Sequence, residues 1–202
     1  MTKTKTKTKT KTKTLLLMFH RDIEKSVANA ALFRAAQGIE GVTAIDVQAR
    51  YPDGHIDMFT DAEADAQLLL GADRIVLQFP VQWYATPSIL KAWQDAVLTR
   101  MYYVFPQEEG ARLAGTPLMV AATLGNVAEA YTRSGQNHYS VDEIFTPLKA
   151  MAHRCGLPWH APHLTFSADK LDEAALAAAA QSYTRALQAF IATPRVAKAA
   201  EV

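Results

Sequence analysis

Arg74-Ile75-Val76-Leu77-Gln78-Phe79-Pro80-Val81-Gln82-Trp83-Tyr84-Ala85-Thr86-Pro87 is the stretch from which the fold can be read. Ile75, Val76, Leu77 and Phe79 follow one another with little polar alternation, as in a strand covered on both faces of a parallel sheet. Pro80 cannot donate to a strand ladder and ends the run. Thr86 and Pro87 predict a helix start, a capping hydroxyl followed by proline at the first helical position. Ile89, Leu90, Trp93, Val97 and Met101 then recur at helical spacing.

Outward from this unit, the same strand-then-helix alternation repeats. Strands are expected at Leu15 to Phe19, Val42 to Val47, Arg74 to Phe79, Pro117 to Thr123 and Trp159 to Phe166. Ser26 can cap a helix running to about Gln37. Further helices are expected from Asp61 to a stop at Gly71, from Val141 to Arg154, and from Asp172 to Ile191. Tyr51 to Thr60 is irregular around a Pro52-Asp53-Gly54 turn, and Tyr102 to Leu113 and Asn126 to Ser140 read as long loops. Alternation without a break in composition predicts an α/β fold, a doubly wound parallel sheet with right-handed crossovers. Ligands of such sheets lie beyond the carboxyl ends of the strands, at the switch point. His20 to Asn29, Pro80 to Pro87 and Thr123 to Tyr131 are therefore the candidate segments.

The chain has 202 residues, half of them hydrophobic, which suits one self-sufficient domain, expected over 15–193. Its formal net charge of +1 gives no basic footprint for nucleic acid. Cys155 is the one cysteine, so no intramolecular disulfide can form, in keeping with a cytoplasmic location. No apolar run approaches the ~20 residues of a membrane span. The Thr-Lys alternation from Thr2 to Thr14 repels itself and is expected to be disordered, and residues 194–202 to be frayed. The apolar run after the Thr-Lys tract is too short for a signal peptide and leads into His20, Arg21 and Asp22 with no small-residue cleavage site.

Several chemistries have no motif here. No G-x-G-x-x-G follows the first strand, and there is no phosphate-binding P-loop and no G-x-S-x-G elbow. His153, Cys155, His160 and His163 match no standard zinc spacing, so no metal site is expected.

Pro80-Val81-Gln82-Trp83-Tyr84, then Pro87 and Leu90-Lys91-Ala92-Trp93 with Asp95, resembles the flavodoxin-like NAD(P)H:quinone reductases. That family includes the potassium-efflux ancillary and modulator-of-drug-activity types. Cys155-Gly156-Leu157-Pro158-Trp159 with Pro162 is similar to a further family stretch, as is Tyr51-Pro52-Asp53 with Ile56-Asp57. The resemblance implies a five-stranded sheet of order 2-1-3-4-5 with helices on both faces. It implies a homodimer binding FMN, less readily FAD, that passes hydride from NAD(P)H to a quinone or other electrophile. Pro80, Val81, Gln82, Trp83 and Tyr84 would meet the flavin edge, with backbone N–H groups of Val81 to Tyr84 as donors. His20, Ser26 and Asn29 would hold its phosphate, although Asp22 and Glu24 are anions nearby and Arg21 stands where the family carries proline. Thr123, Gly125 and Asn126 would meet the pyrimidine edge, with Tyr131 and His138 flanking hydride transfer. Here too the chain departs from the family: Leu124 replaces a threonine, Asn126 replaces a glycine, and His138 is displaced by one position. An azo- or nitro-compound reductase, a flavin-binding regulatory subunit of a membrane transporter, and a flavin-free binding module remain as alternatives.

Overall fold

The structure is a computed structural model and describes residues 13–193. The expectations for the Thr-Lys tract before Lys13 and for 194–202 lie outside these residues. The tract was expected to run to Thr14, but Thr14 is already the first residue of β1 (Thr14–Met18). Its register is held from before the strand, where the Lys13 N–H donates to the Asp73 carboxylate at 2.8 Å.

α1 (Val27–Gln37), β2 (Val42–Asp46), α2 (Val47–Arg50), α3 (Ala62–Leu70) and β3 (Arg74–Pro80) follow. α4 (Ser88–Trp93) continues into a wide helical run that ends in α5 (Ala111–Leu113). β4 (Leu118–Thr123), α6 (Val141–Ile144), α7 (Thr146–Arg154), β5 (His163–Thr165) and α8 (Glu173–Ala192) complete the chain. The five strands form one parallel sheet in the order β2-β1-β3-β4-β5, as expected. The continuous apolar strands are buried on both faces, one face under α1 and α8 through Leu16, Met18, Leu32, Tyr183 and Leu187, the other under the remaining helices.

Four local expectations are corrected. Thr86 does not cap α4; Pro87 stands at the cap position itself, and the helix begins at Ser88. Tyr102 to Leu113 is helical rather than a loop. The chain runs through three wide π-type turns, Gln94–Leu98, Arg100–Val104 and Pro106–Gly110. Pro106 is tolerated at the start of a turn, where its missing N–H is not needed. Arg100 and Glu109 hold the run together: the guanidinium donates twice to one Glu109 carboxylate oxygen, at 3.2 and 3.1 Å, with both side chains buried. Gly110 permits the closeness, since a Cβ there would stand 2.7 Å from the Met101 carbonyl oxygen. The expected helix from Val141 to Arg154 is broken at Phe145, whose ring packs edge-on to Phe79 at 6.1 Å. The fifth strand is shorter than expected, with Trp159 making only an isolated bridge to Leu118.

One polar chain crosses the apolar interior. The Tyr183 hydroxyl donates to Gln78 Oε1 at 3.2 Å, and Gln78 Nε2 donates to the Asn29 carbonyl at 3.0 Å. Asn29 Nδ2 in turn donates to Thr123 Oγ1 at 2.8 Å. Buried polar groups are retained where they are paired. This chain ties the start of α1 to the ends of β3 and β4, at the switch point between β1 and β3.

Candidate functional site

Two adjoining cavities lie beyond the carboxyl ends of β1, β3 and β4. The first, about 450 Å³, is lined by His20, Ser26 and Asn29 on one side and by Pro80, Val81, Thr123 and Gly125 on the other. The second, about 500 Å³, is lined by Val81, Trp83, Tyr84, Gly125, Asn126 and Tyr131. Val81 and Gly125 wall both, so the two spaces adjoin. Eleven of the thirteen residues expected from the sequence are thus brought together; Gln82 and His138 line neither cavity.

The first cavity opens on the N-terminus of α1. Ser26 caps that helix as expected, its Oγ accepting from the Asn29 N–H at 3.2 Å. The hydroxyl proton of Ser26 remains available to a ligand. The first N–H groups of a helix lack intrahelical partners and face an anion readily. His20 Nδ1 accepts from the Asp22 N–H at 3.0 Å, which leaves Nε2 as the proton-bearing nitrogen of the neutral ring. Burial, opposed by the Asp22 charge, holds His20 below the usual histidine value, so it stays neutral and donates. Asp22 is paired with Lys25 at 2.6 Å, and neither Asp22 nor Glu24 lines this cavity. The acids therefore do not oppose an anion as their positions in sequence suggest.

The loop after β3 is a tight turn. Gln82 and Ala85 exchange two backbone hydrogen bonds of 3.0 Å, with Trp83 at φ 48° and Tyr84 at φ 60° between them. Two consecutive left-handed residues define a type I′ turn, which ordinarily takes Asn and Gly. Two large aromatics there cost about 1–3 kcal/mol each in backbone strain. The turn corrects one expectation: the Val81 N–H is bound to the Thr123 carbonyl and the Gln82 N–H to Ala85. Among the described residues, the Trp83 and Tyr84 N–H groups have no such partner. They are the donors left for a ligand. Trp83 is 94% exposed, the most exposed of the large hydrophobic residues.

The loop after β4 closes the second cavity. Tyr131 packs on Phe166, with ring centroids 5.8 Å apart, and burial raises its phenol above the usual tyrosine value. It remains a neutral hydroxyl at physiological pH. Neither Gly125 nor Asn126 is left-handed, so asparagine in place of the family's glycine strains no backbone here. Asn126 instead spans the loop, accepting from the Val127 N–H and donating to Gln136 Oε1 at 3.1 Å. His138 is exposed at φ 59°, with Nδ1 3.4 Å from the Arg133 carbonyl oxygen. Gln136 and Asn137 take its place at the cavity, and the Tyr84 hydroxyl donates to Asn137 Oδ1 at 3.3 Å. Sequence reasoning missed both amides because it sought a histidine. It also missed Asp169 and Lys170, which arrive from the loop after β5.

Gly135 sets the path of this loop. A Cβ there would stand 2.2 Å from the Glu129 carbonyl oxygen and 2.7 Å from that of Ala130. Both contacts are to backbone, which cannot give without moving the loop. Gly135→Ala is expected to cost about 1–3 kcal/mol locally and to expose 126–140 to protease. Limited proteolysis checks this, and a cleavage pattern matching the wild type would refute it.

The residues fit a phosphate-bearing planar cofactor. Asn29 Oδ1 is buried without a partner. The nearest protein atom to a Cβ built at Gly125 is Asp169 Oδ1 at 3.8 Å, so the space in front of that glycine is open. Trp83, Tyr84 and Tyr131 offer aromatic walls beside it.

A family model described as flavodoxin-like fold matches residues 12–187. The glutathione-regulated potassium-efflux system ancillary protein KefG of Enterobacter sp. (strain 638) is 35% identical over 169 residues, covering 84% of this chain and 89% of that protein. The uncharacterized NAD(P)H oxidoreductase YdeQ of Bacillus subtilis (strain 168) is 32% identical over 182 residues, covering 90% of this chain and 89% of that one. Among solved structures, general stress protein 14 of Treponema denticola in complex with FMN superposes with a TM-score of 0.75. Its identity is 28%, and the match covers 89% of this chain and 97% of that one.

Proposed function

This chain belongs to the flavodoxin-like family, and from that membership we propose that it is a flavin-dependent NAD(P)H oxidoreductase that binds FMN. The observation that carries the reading is the pair of adjoining cavities at the β1/β3 switch point, one lined by groups suited to a phosphate and the other by aromatic rings. The FMN complex of a relative and the oxidoreductase name of another support it.

When bound, the flavin would accept hydride from NAD(P)H and pass two electrons, with that proton and one from solvent, to a quinone-like electrophile. The chain's own residues bind and orient. His20 Nε2, the Ser26 hydroxyl and the first N–H groups of α1 hold the phosphate. The Trp83 and Tyr84 N–H groups address the ring edge, as preorganised donors do where charge develops. Trp83, Tyr84 and Tyr131 flank the open face on which nicotinamide and acceptor would alternate. A homodimer in solution belongs to this reading.

An anaerobic absorbance spectrum tests it. Bound FMN should show its visible bands and lose them when NADPH is added. Protein that retains neither FMN nor FAD after incubation and desalting sinks the proposal. The match to KefG supports a second reading, a flavin-loaded subunit of a potassium-efflux transporter. That reading predicts retained FMN, negligible turnover across an acceptor panel, and co-purification with the transporter from membranes. No helix among the described residues is long and apolar enough to cross a membrane.

A further inference from the structure

The ring-sized cavity is walled by aromatic rings, amides and backbone. Of the side chains lining it, Lys170 alone carries a charge at neutral pH. Its ammonium has no carboxylate partner among the described residues. Its backbone is fixed. Ser167, left-handed at φ 49°, turns the chain after β5 so that its N–H reaches the Asn126 carbonyl at 3.0 Å. The Ala168 N–H reaches the Leu124 carbonyl at 3.0 Å, and the Lys170 N–H bonds back to Ser167 at 2.9 Å. The lysine is therefore borne on a turn bonded to the loop that forms the cavity wall. Asp169, its neighbour, lines the adjoining cavity, with Oδ1 3.8 Å from a Cβ built at Gly125.

Resting on the flavin reading above, we propose that Lys170 stabilises the negative charge the ring takes up on reduction, and so raises the reduction potential of the bound FMN. A flavin that gains two electrons and one proton carries one extra negative charge, and a cation at the cavity wall favours the reduced state. Tyr131 contributes only a neutral dipole, because burial keeps its phenol protonated. His138, which the sequence pattern puts forward for this place, lies outside the cavity. The four-carbon stem of a lysine lets its compact charge settle against the ring. Because Lys170 is exposed, the effect should weaken as salt rises.

The test is the two-electron midpoint potential of FMN-loaded protein, measured against a reference dye, together with the dissociation constant of oxidised FMN. Lys170→Met should lower the preference for reduced over oxidised flavin about ten-fold, equal to about 30 mV for a two-electron couple. Oxidised FMN should bind nearly as before. Lys170→Arg should restore the potential, and His138→Ala should leave it unmoved. An unchanged potential in Lys170→Met, or an equal loss of affinity for both flavin states, overturns this proposal and leaves the flavin reading standing. Wild-type protein that retains no FMN overturns both.

Discussion

Asn29→Leu is expected to yield a folded protein whose affinity for FMN has fallen by about ten-fold, on the scale of one lost neutral hydrogen bond in the clamp beside the first cavity. Leucine keeps the branched shape and heavy-atom count of asparagine, so the packing of α1 should survive with small adjustments. The amide bond to Thr123 Oγ1 is lost, and with it the clamp between α1 and the end of β4. The first cavity lies between those two elements. Stability should drop by only about 1–3 kcal/mol, the cost of a buried polar partner left unmatched. Fluorescence titration of FMN and thermal unfolding of the flavin-free protein separate the two effects. Wild-type affinity in this variant would show that the polar chain through the sheet does not shape the site.

Glu109→Leu should be the more damaging change to stability. It leaves the buried Arg100 guanidinium with only the mostly exposed Glu63 carboxylate, 3.7 Å away, as an ionic partner. Stranding one partner of a buried pair costs about 3–5 kcal/mol. Adding Arg100→Met should recover most of that loss, because an apolar pair of similar size needs no desolvation offset. Urea unfolding midpoints for the two single variants and the double variant form the test. If Glu109→Leu alone costs under about 1 kcal/mol, as an exposed pair would, the wide helical run is held by its apolar contacts instead.

The fold was legible because parallel strands buried on both faces leave an unmistakable sequence mark. Arg74 to Phe79 and Pro117 to Thr123 differ from their observed spans by one residue at one end, and Leu15 to Phe19 by one residue at each end. The segment 102–113 was not legible. Arg100 meets Glu109 there, a contact between side chains nine positions apart that no local pattern announces. The cap of α1 was legible because capping is local: the Ser26 hydroxyl accepts from the Asn29 N–H three residues on. The loop after β3 was legible in part. Trp83 and Tyr84 stood out as aromatics, but their left-handed backbone runs against the preferences of both residues. Lys170 was out of reach because it comes to the cavity through tertiary hydrogen bonds to Leu124 and Asn126.

The strand order also constrains how the chain is made. β1 leaves the ribosome first, yet it lies in the middle of the sheet between β2 and β3. One face of that sheet, through Leu16, Met18, Val76 and Met119, is sealed by Tyr183, Leu187 and Phe190 of α8. Until residues 173–192 emerge, that face of the nascent sheet is covered by α1 alone, and the apolar surface left open is of the kind that chaperones hold. Synthesis halted before that helix would produce a client for chaperones and proteases rather than a weakened enzyme.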